Sequence, residues 1–238
     1  MGKFRRIFLL CFSILILCGV SVQAITKEVV EKVKNSVVLL SLNKLENPPI
    51  GAPNALCSGT VINEQGHILT NFHCVYGQKT INMYYWDEDD WHEYQVKIIG
   101  EDPLADLVVL EVIGLKRKVP YLKFAKKEDI YTGAEVFAFG HPMGMAWSLS
   151  KGIISSTKRY ARHPYIKSVQ VDAAINKGNS GGPVFNEKGE IVGIATLMIS
   201  KTNQNAGVGI AIRADIAEKS LTEMLATGKV ERPALGIM

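Results

Sequence analysis

The chain has 238 residues, of which 47% are hydrophobic and 21% charged, a balance that fits one ordinary globular domain, or one domain built from two halves, with enough length to bury a core. Its formal charge of +4 owes three units to Lys3, Arg5 and Arg6. Without them it falls to about +1, which argues against a nucleic-acid partner.

The first 24 residues, "MGKFRRIFLLCFSILILCGVSVQA", place those basic residues before an apolar run and end in Val22-Gln23-Ala24. This is the layout of a secretory signal peptide cleaved after Ala24. An uncleaved anchor is the alternative, but the run from Ile7 to Val22 is short for a full span and contains Ser13, Cys18 and Gly19. Export to the periplasm or beyond, with no stable membrane span after cleavage, is therefore expected. Cys11 and Cys18 leave with the signal, so Cys57 and Cys74 remain as a pair in an oxidising compartment. They are either a disulfide closing a short loop or two buried thiols.

Residues 26–36, "TKEVVEKVKNS", repeat Val29, Val30 and Val33 at helical spacing. A dozen short β-like runs follow, at 36–42, 57–63, 67–70, 80–85, 94–99, 107–113, 134–139, 148–157, 166–172, 183–186, 190–199 and 207–212. Turn signals such as Asn63-Glu64-Gln65-Gly66 and Asn186-Glu187-Lys188-Gly189 separate them. Residues 114–133 read as a crossing between two halves, and 214–226 as a closing helix stopped by Gly228. The pattern predicts an all-β domain, two small barrels or a sandwich. The segment "YYWDEDDWHEY", residues 84–94, lacks the spacing and turn glycine of a calcium loop and reads as a solvated hairpin tip. No cofactor or metal ligand set is evident.

Chemistry concentrates in "AAINKGNSGGPVF", residues 173–185. A nucleophilic serine needs a base, a group orienting that base, and donors for the developing oxyanion. Ser180 lies among Gly178, Gly181 and Gly182, and the N–H groups of Gly178 and Ser180 are suited to an anion-binding nest. His67, His73, His92, His141 and His163 are all candidate bases on chemistry alone. His73 follows the apolar strand of "HILTNFHCV", and Asp106 opens the apolar "DLVVL".

Five segments in order, "ILTNFHCV" (68–75), "DPLADLVVLEV" (102–112), "AFGHPMGMAWSLSKGIISSTKR" (138–159), "VQVDAAINKGNSGGPVFNEKGEIVGI" (169–194) and "GVGIAI" (207–212), resemble the HtrA/DegP-like branch of the trypsin-like serine proteases. The resemblance covers roughly residues 26–238. It implies two six-stranded antiparallel β-barrels, at about 36–113 and 134–212, within a protease domain of residues 25–226. It also implies His73 as general base, Asp106 as its orienting carboxylate, Ser180 as nucleophile, and the Gly178 and Ser180 N–H groups as oxyanion hole.

Three positions modify the family pattern. Cys57 and Cys74 lie where digestive trypsin-like enzymes have a disulfide beside the histidine. Asn179 stands where zymogen-type relatives carry an aspartate that pairs with a newly cut N-terminus, so activation by clipping is not expected. Residues 227–238 resemble the linker and first strand leading into a PDZ domain, of which the rest is not in the sequence.

By the same resemblance Ala174, Ile175, Ala195, Thr196 and Leu197 line the primary pocket. Ala174 replaces the aspartate of a trypsin, so small or medium apolar side chains are expected there, with soft preference. The implied partners are unfolded protein or peptide substrates and, as in many family members, two further copies in a homotrimer. A catalytically idle protease fold used for binding or chaperoning is the alternative.

Overall fold

The computed structural model describes residues 25–45, 55–78, 80–87, 90–160, 164, 166–198 and 206–232. The signal segment, His163 and residues 233–238 of the tail lie outside the described residues. Six strands, β1 (Val37–Ser41), β2 (Ala55–Val61), β3 (Ile68–Thr70), β4 (Ile81–Asp87), β5 (Asp90–Asp102) and β6 (Leu107–Val112), close into one antiparallel barrel in the order β1-β2-β3-β6-β5-β4. Six more, β7 (Glu135–Gly140), β8 (Ser148–Arg159), β9 (Ser168–Val171), β10 (Pro183–Phe185), β11 (Ile191–Met198) and β12 (Gly209–Arg213), close a second in the order β10-β11-β12-β9-β8-β7. Helix α1 (Lys27–Lys34) precedes the first barrel and α2 (Ala214–Thr227) follows the second. The side-chain oxygen of Thr26 accepts the Val29 N–H and caps α1. Gly228 ends α2 in the left-handed conformation at φ 77°.

Period-two alternation along the strands explains the seam between the barrels. On β6, Val108 and Leu110 fill the first barrel, while Leu107 and Val109 point to the seam. On β7, Val136 and Ala138 fill the second barrel, while Phe137 and Phe139 point to the seam. Strands buried on both faces lose their polar positions, so Leu107–Leu110 of β6 is an unbroken apolar run, with Glu111 only where burial ends. Ala217, Leu221 and Met224 of α2 close the same seam.

The β4–β5 hairpin corrects one expectation. β5 runs 13 residues, well beyond the expected 94–99, and the hairpin's aromatics are not merely solvated. Trp86 and Trp91 pack on Trp147 from the second barrel at ring-centroid distances of 5.2 and 4.7 Å. The hairpin therefore clasps the far barrel.

One tie braces the first barrel and another joins the halves. Cys57 of β2 and Cys74 form a disulfide. His141, in the loop after β7, is fully buried and gives its backbone N–H to Ser58 Oγ of β2 at 3.1 Å. The Trp147 N–H approaches His141 Nδ1 at 3.4 Å, so the ring proton belongs on Nε2. Burial pushes this imidazole down to about 3.

Two outcomes are expected. The disulfide closes a loop of sequence separation 17. Replacing both cysteines (Cys57→Ala with Cys74→Ala) should therefore lower unfolding free energy by about 2–4 kcal/mol in urea titrations. His141 has a depressed folded pKa, so its contribution is complete above about 6.5 and is lost as pH falls towards 3. Relative to a His141→Gln variant, the wild type should lose roughly 3 kcal/mol more between pH 7 and pH 4. Parallel stability curves for the two proteins would contradict the assignment.

Candidate active site

Asp106 organises the histidine side of the site. It leaves the turn after β5 with its N–H on the Pro103 carbonyl at 3.2 Å and adopts φ 57°, a left-handed conformation that Asp tolerates at a cost of about 1–3 kcal/mol. That conformation lets both ends of the residue work. The backbone carbonyl accepts Phe72 N–H at 3.1 Å and Asn71 Nδ2 at 3.0 Å, which fixes the 3-10 turn Phe72–Cys74 that follows β3. Its carboxylate, 1% exposed, accepts the His73 backbone N–H at 2.9 Å and faces His73 Nδ1 at 2.8 and 3.0 Å. Thr196 Oγ1 donates to Asp106 Oδ2 at 2.6 Å. A proton on Nδ1 satisfies the carboxylate and leaves Nε2 with a lone pair able to take a proton.

The serine loop is fastened to the first barrel. Ser58 N–H donates to the Ser180 carbonyl at 2.8 Å, Ser58 Oγ to the Gly178 carbonyl at 2.7 Å, and Thr60 Oγ1 to the Gly181 carbonyl at 3.0 Å. Gly181 lies at φ 84°, and a Cβ there would collide with Thr70 Oγ1 and the Ser58 carbonyl. No side chain fits, which accounts for this glycine.

The Lys177–Gly178 peptide has one defined direction. Met143 N–H, from the loop before β8, donates to the Lys177 carbonyl at 2.8 Å. In a planar trans peptide the Gly178 N–H then points the opposite way. Among the described residues neither the Gly178 nor the Ser180 N–H has an acceptor. The chain thus presents two unclaimed donors flanking Asn179. Asn179 is buried and reaches the Ala174 carbonyl through Nδ2 at 3.4 Å.

Thr196 joins the two sides. Ser180 Oγ donates to the Thr196 carbonyl at 3.3 Å, and no hydrogen bond links it to His73. Thr196, expected in the pocket wall, is 4% exposed, and its hydroxyl holds Asp106. Ala195 is buried in the second barrel's core, with its backbone paired to Gly181 and Gly182. Ile175 is buried against Gly209, whereas Ala174 and Leu197 are half-buried. Ser150 Oγ donates to the Ala174 carbonyl at 3.0 Å. Of the other histidines, His67 bonds Asn63 and His92 pairs with Asp87, both within the first barrel and away from Asp106.

Sequence reasoning missed the roles of Ser58, Met143 and Thr196. A lone hydroxyl inside the apolar run "IVGIATLM" was the available signal, because a buried hydroxyl requires a partner.

Comparison with known proteins agrees with this arrangement. Residues 57–194 match the family model for the trypsin-like peptidase domain. A probable periplasmic serine endoprotease, DegP-like, of Brucella suis is 37% identical over 186 residues, covering 78% of this chain and 36% of the relative. The chloroplastic protease Do-like 1 of Arabidopsis thaliana is 34% identical over 190 residues, covering 78% of this chain and 43% of the relative. The chain thus spans well under half the length of these curated relatives. The solved HtrA-type protease AlgW with a decapeptide superposes with a TM-score of 0.76 at 29% identity, covering 87% of this chain and 70% of that one. The twin barrels, the ordered motifs and these matches together show that the chain belongs to the trypsin-like peptidase family, as an HtrA/DegP-type domain.

Proposed function

We propose that this domain is a serine endopeptidase that cleaves unfolded or misfolded protein by a Ser-His-Asp acyl-enzyme mechanism. The observation that carries the reading is the buried Asp106 carboxylate on His73 Nδ1, set beside a serine loop with two unclaimed N–H donors. In this reading Ser180 Oγ turns from the Thr196 carbonyl towards the substrate carbonyl, and its proton passes to His73 Nε2. Asp106 stabilises the imidazolium without taking the proton. The Gly178 and Ser180 N–H groups bind the oxyanion. His73 then gives the proton to the leaving amine, and water, activated by the same imidazole, releases the acyl group.

Ala174, Ile175 and Leu197 form the pocket for the residue before the scissile bond. Ile175, packed on Gly209, limits its depth, and no carboxylate stands at Ala174 to attract Lys or Arg. Small or medium apolar side chains fit. The relatives' names place them in the periplasm and the chloroplast, and the apolar leader supports a periplasmic or secreted location for this chain. Among the described residues no helix is long and apolar enough to cross a membrane.

An idle binding fold is the second reading, favoured by one observation: the Ser180 hydroxyl rests on Thr196 and not on His73. Hydrogen bonds of this kind are often made only with substrate bound. A fluorophosphonate probe and casein hydrolysis decide between them. Wild-type protein should be labelled and active, whereas Ser180→Ala should be unlabelled and slower by at least about 10⁴-fold. An unlabelled wild type would establish the binding reading.

A further inference from the structure

Asp102, at the end of β5, is a second carboxylate buried to 1% exposure, and the chemistry above gives it no part. Its partner is Arg232, from the tail beyond α2. Arg232 Nη2 donates to Asp102 Oδ2, and Arg232 Nε approaches Oδ1 at 3.3 Å. Ser220 of α2 completes the group. Its Oγ donates to Asp102 Oδ2 at 2.7 Å and receives Arg232 Nη2 at 3.1 Å. A guanidinium fork suits this arrangement, because one rigid plane reaches both carboxylate oxygens and the hydroxyl.

The tail arrives there by strand addition. Glu101 N–H donates to the Gly228 carbonyl at 3.1 Å, and Val230 N–H to the Glu101 carbonyl at 3.2 Å. The tail is therefore paired with β5 immediately before the turn that delivers Asp106.

Asp102 also governs that turn. Its Oδ1 accepts the Ala105 N–H at 3.1 Å, across the segment Asp102-Pro103-Leu104-Ala105-Asp106. The next N–H in the chain is that of Asp106, which closes on Pro103 and leaves the residue at φ 57°. This conformation is narrow for a non-glycine residue, so the direction of the Asp106 carboxylate depends on how firmly the turn is held. His73 and Thr196 hold it from one side, and the Asp102 carboxylate from the other. A buried carboxylate stripped of its cation must find a proton or water, and its bond to Ala105 N–H weakens with that change.

We infer that Arg232, with Ser220, is a positioning residue for Asp106. Docking of the tail on Asp102 sets the turn that aims the triad carboxylate, so reactivity at Ser180 reports whether the tail is docked. The inference rests on the peptidase reading and deepens it.

The test compares mature wild type with Arg232→Ala, Arg232→Lys and Ser220→Ala. It reads kcat and KM on a fluorogenic peptide, the second-order rate of Ser180 phosphonylation by a fluorophosphonate, and near-ultraviolet circular dichroism for fold. Arg232→Ala should lower kcat and the phosphonylation rate together, by about tenfold or more, with KM within about twofold of wild type. Arg232→Lys should fall between, since a point charge keeps the ion pair but not the fork. Should Arg232→Ala fail to fold, Ser220→Ala, which retains the charge pair, should still slow phosphonylation by a few-fold.

Folded variants that melt earlier yet react with fluorophosphonate at the wild-type rate would overturn the inference, as would losses confined to KM. These results would leave the peptidase reading intact. A wild type inert to fluorophosphonate overturns the peptidase reading and this inference with it.

Discussion

The carboxylate of Asp106 is bonded from both barrels at once, and the rest of the site is arranged around that fact. His73 reaches it through a backbone N–H and Nδ1 from the first barrel, and Thr196 reaches it from the second. An acidic group this deeply buried is costly to leave unsatisfied, so each donor has little freedom to move away. The same residue's carbonyl anchors the turn carrying His73. Disturbing Asp106 therefore moves His73, its tautomer and the junction of the barrels together. Its left-handed backbone is the strain that accompanies this geometry, held in place by the bonds it makes possible.

The serine side follows a complementary rule. It gains rigidity from hydroxyls and one backbone N–H of the opposite barrel, with Ser58 alone contacting Ser180, Gly178 and His141. Glycine at 181 is required because its place is already filled by Thr70 and Ser58. Engaging the Lys177 carbonyl with Met143 turns the adjacent N–H in the useful direction before any ligand arrives. Preorganised donors of this kind are effective because they need no reorganisation as charge develops.

Much of the fold was legible because strands have a simple period. All twelve β-like runs became strands, and both end helices formed close to their expected bounds. β5 was underestimated because its outer residues are charged or aromatic, whereas residues 90–93 are held by antiparallel pairing with β4 and by the stacking of Trp91 on Trp147. Within the site, His73, Asp106 and Ser180 were legible through the resemblance of their surrounding motifs, not through chemistry, which left five histidines equal. The bond from the Thr196 hydroxyl to Asp106 was not legible, because sequence does not reveal which face of a strand leans on a buried charge. Ser58 and the Asp102–Arg232 pair were invisible for another reason: their partners lie about a hundred residues away, with sequence separations of 120 and 130.

We propose that the free chain already holds its reactive geometry, with the Ser180 hydroxyl turning from the Thr196 carbonyl when substrate arrives. Side-chain rotations of this kind take picoseconds to nanoseconds and impose no observable delay. Stopped-flow phosphonylation of the mature protein, without added peptide and over a range of protein concentrations, tests this most directly. The account requires a single exponential from the first time point, with a rate independent of protein concentration and unchanged by added peptide. A lag, or reactivity that appears only on adding peptide or raising the protein concentration, would contradict it.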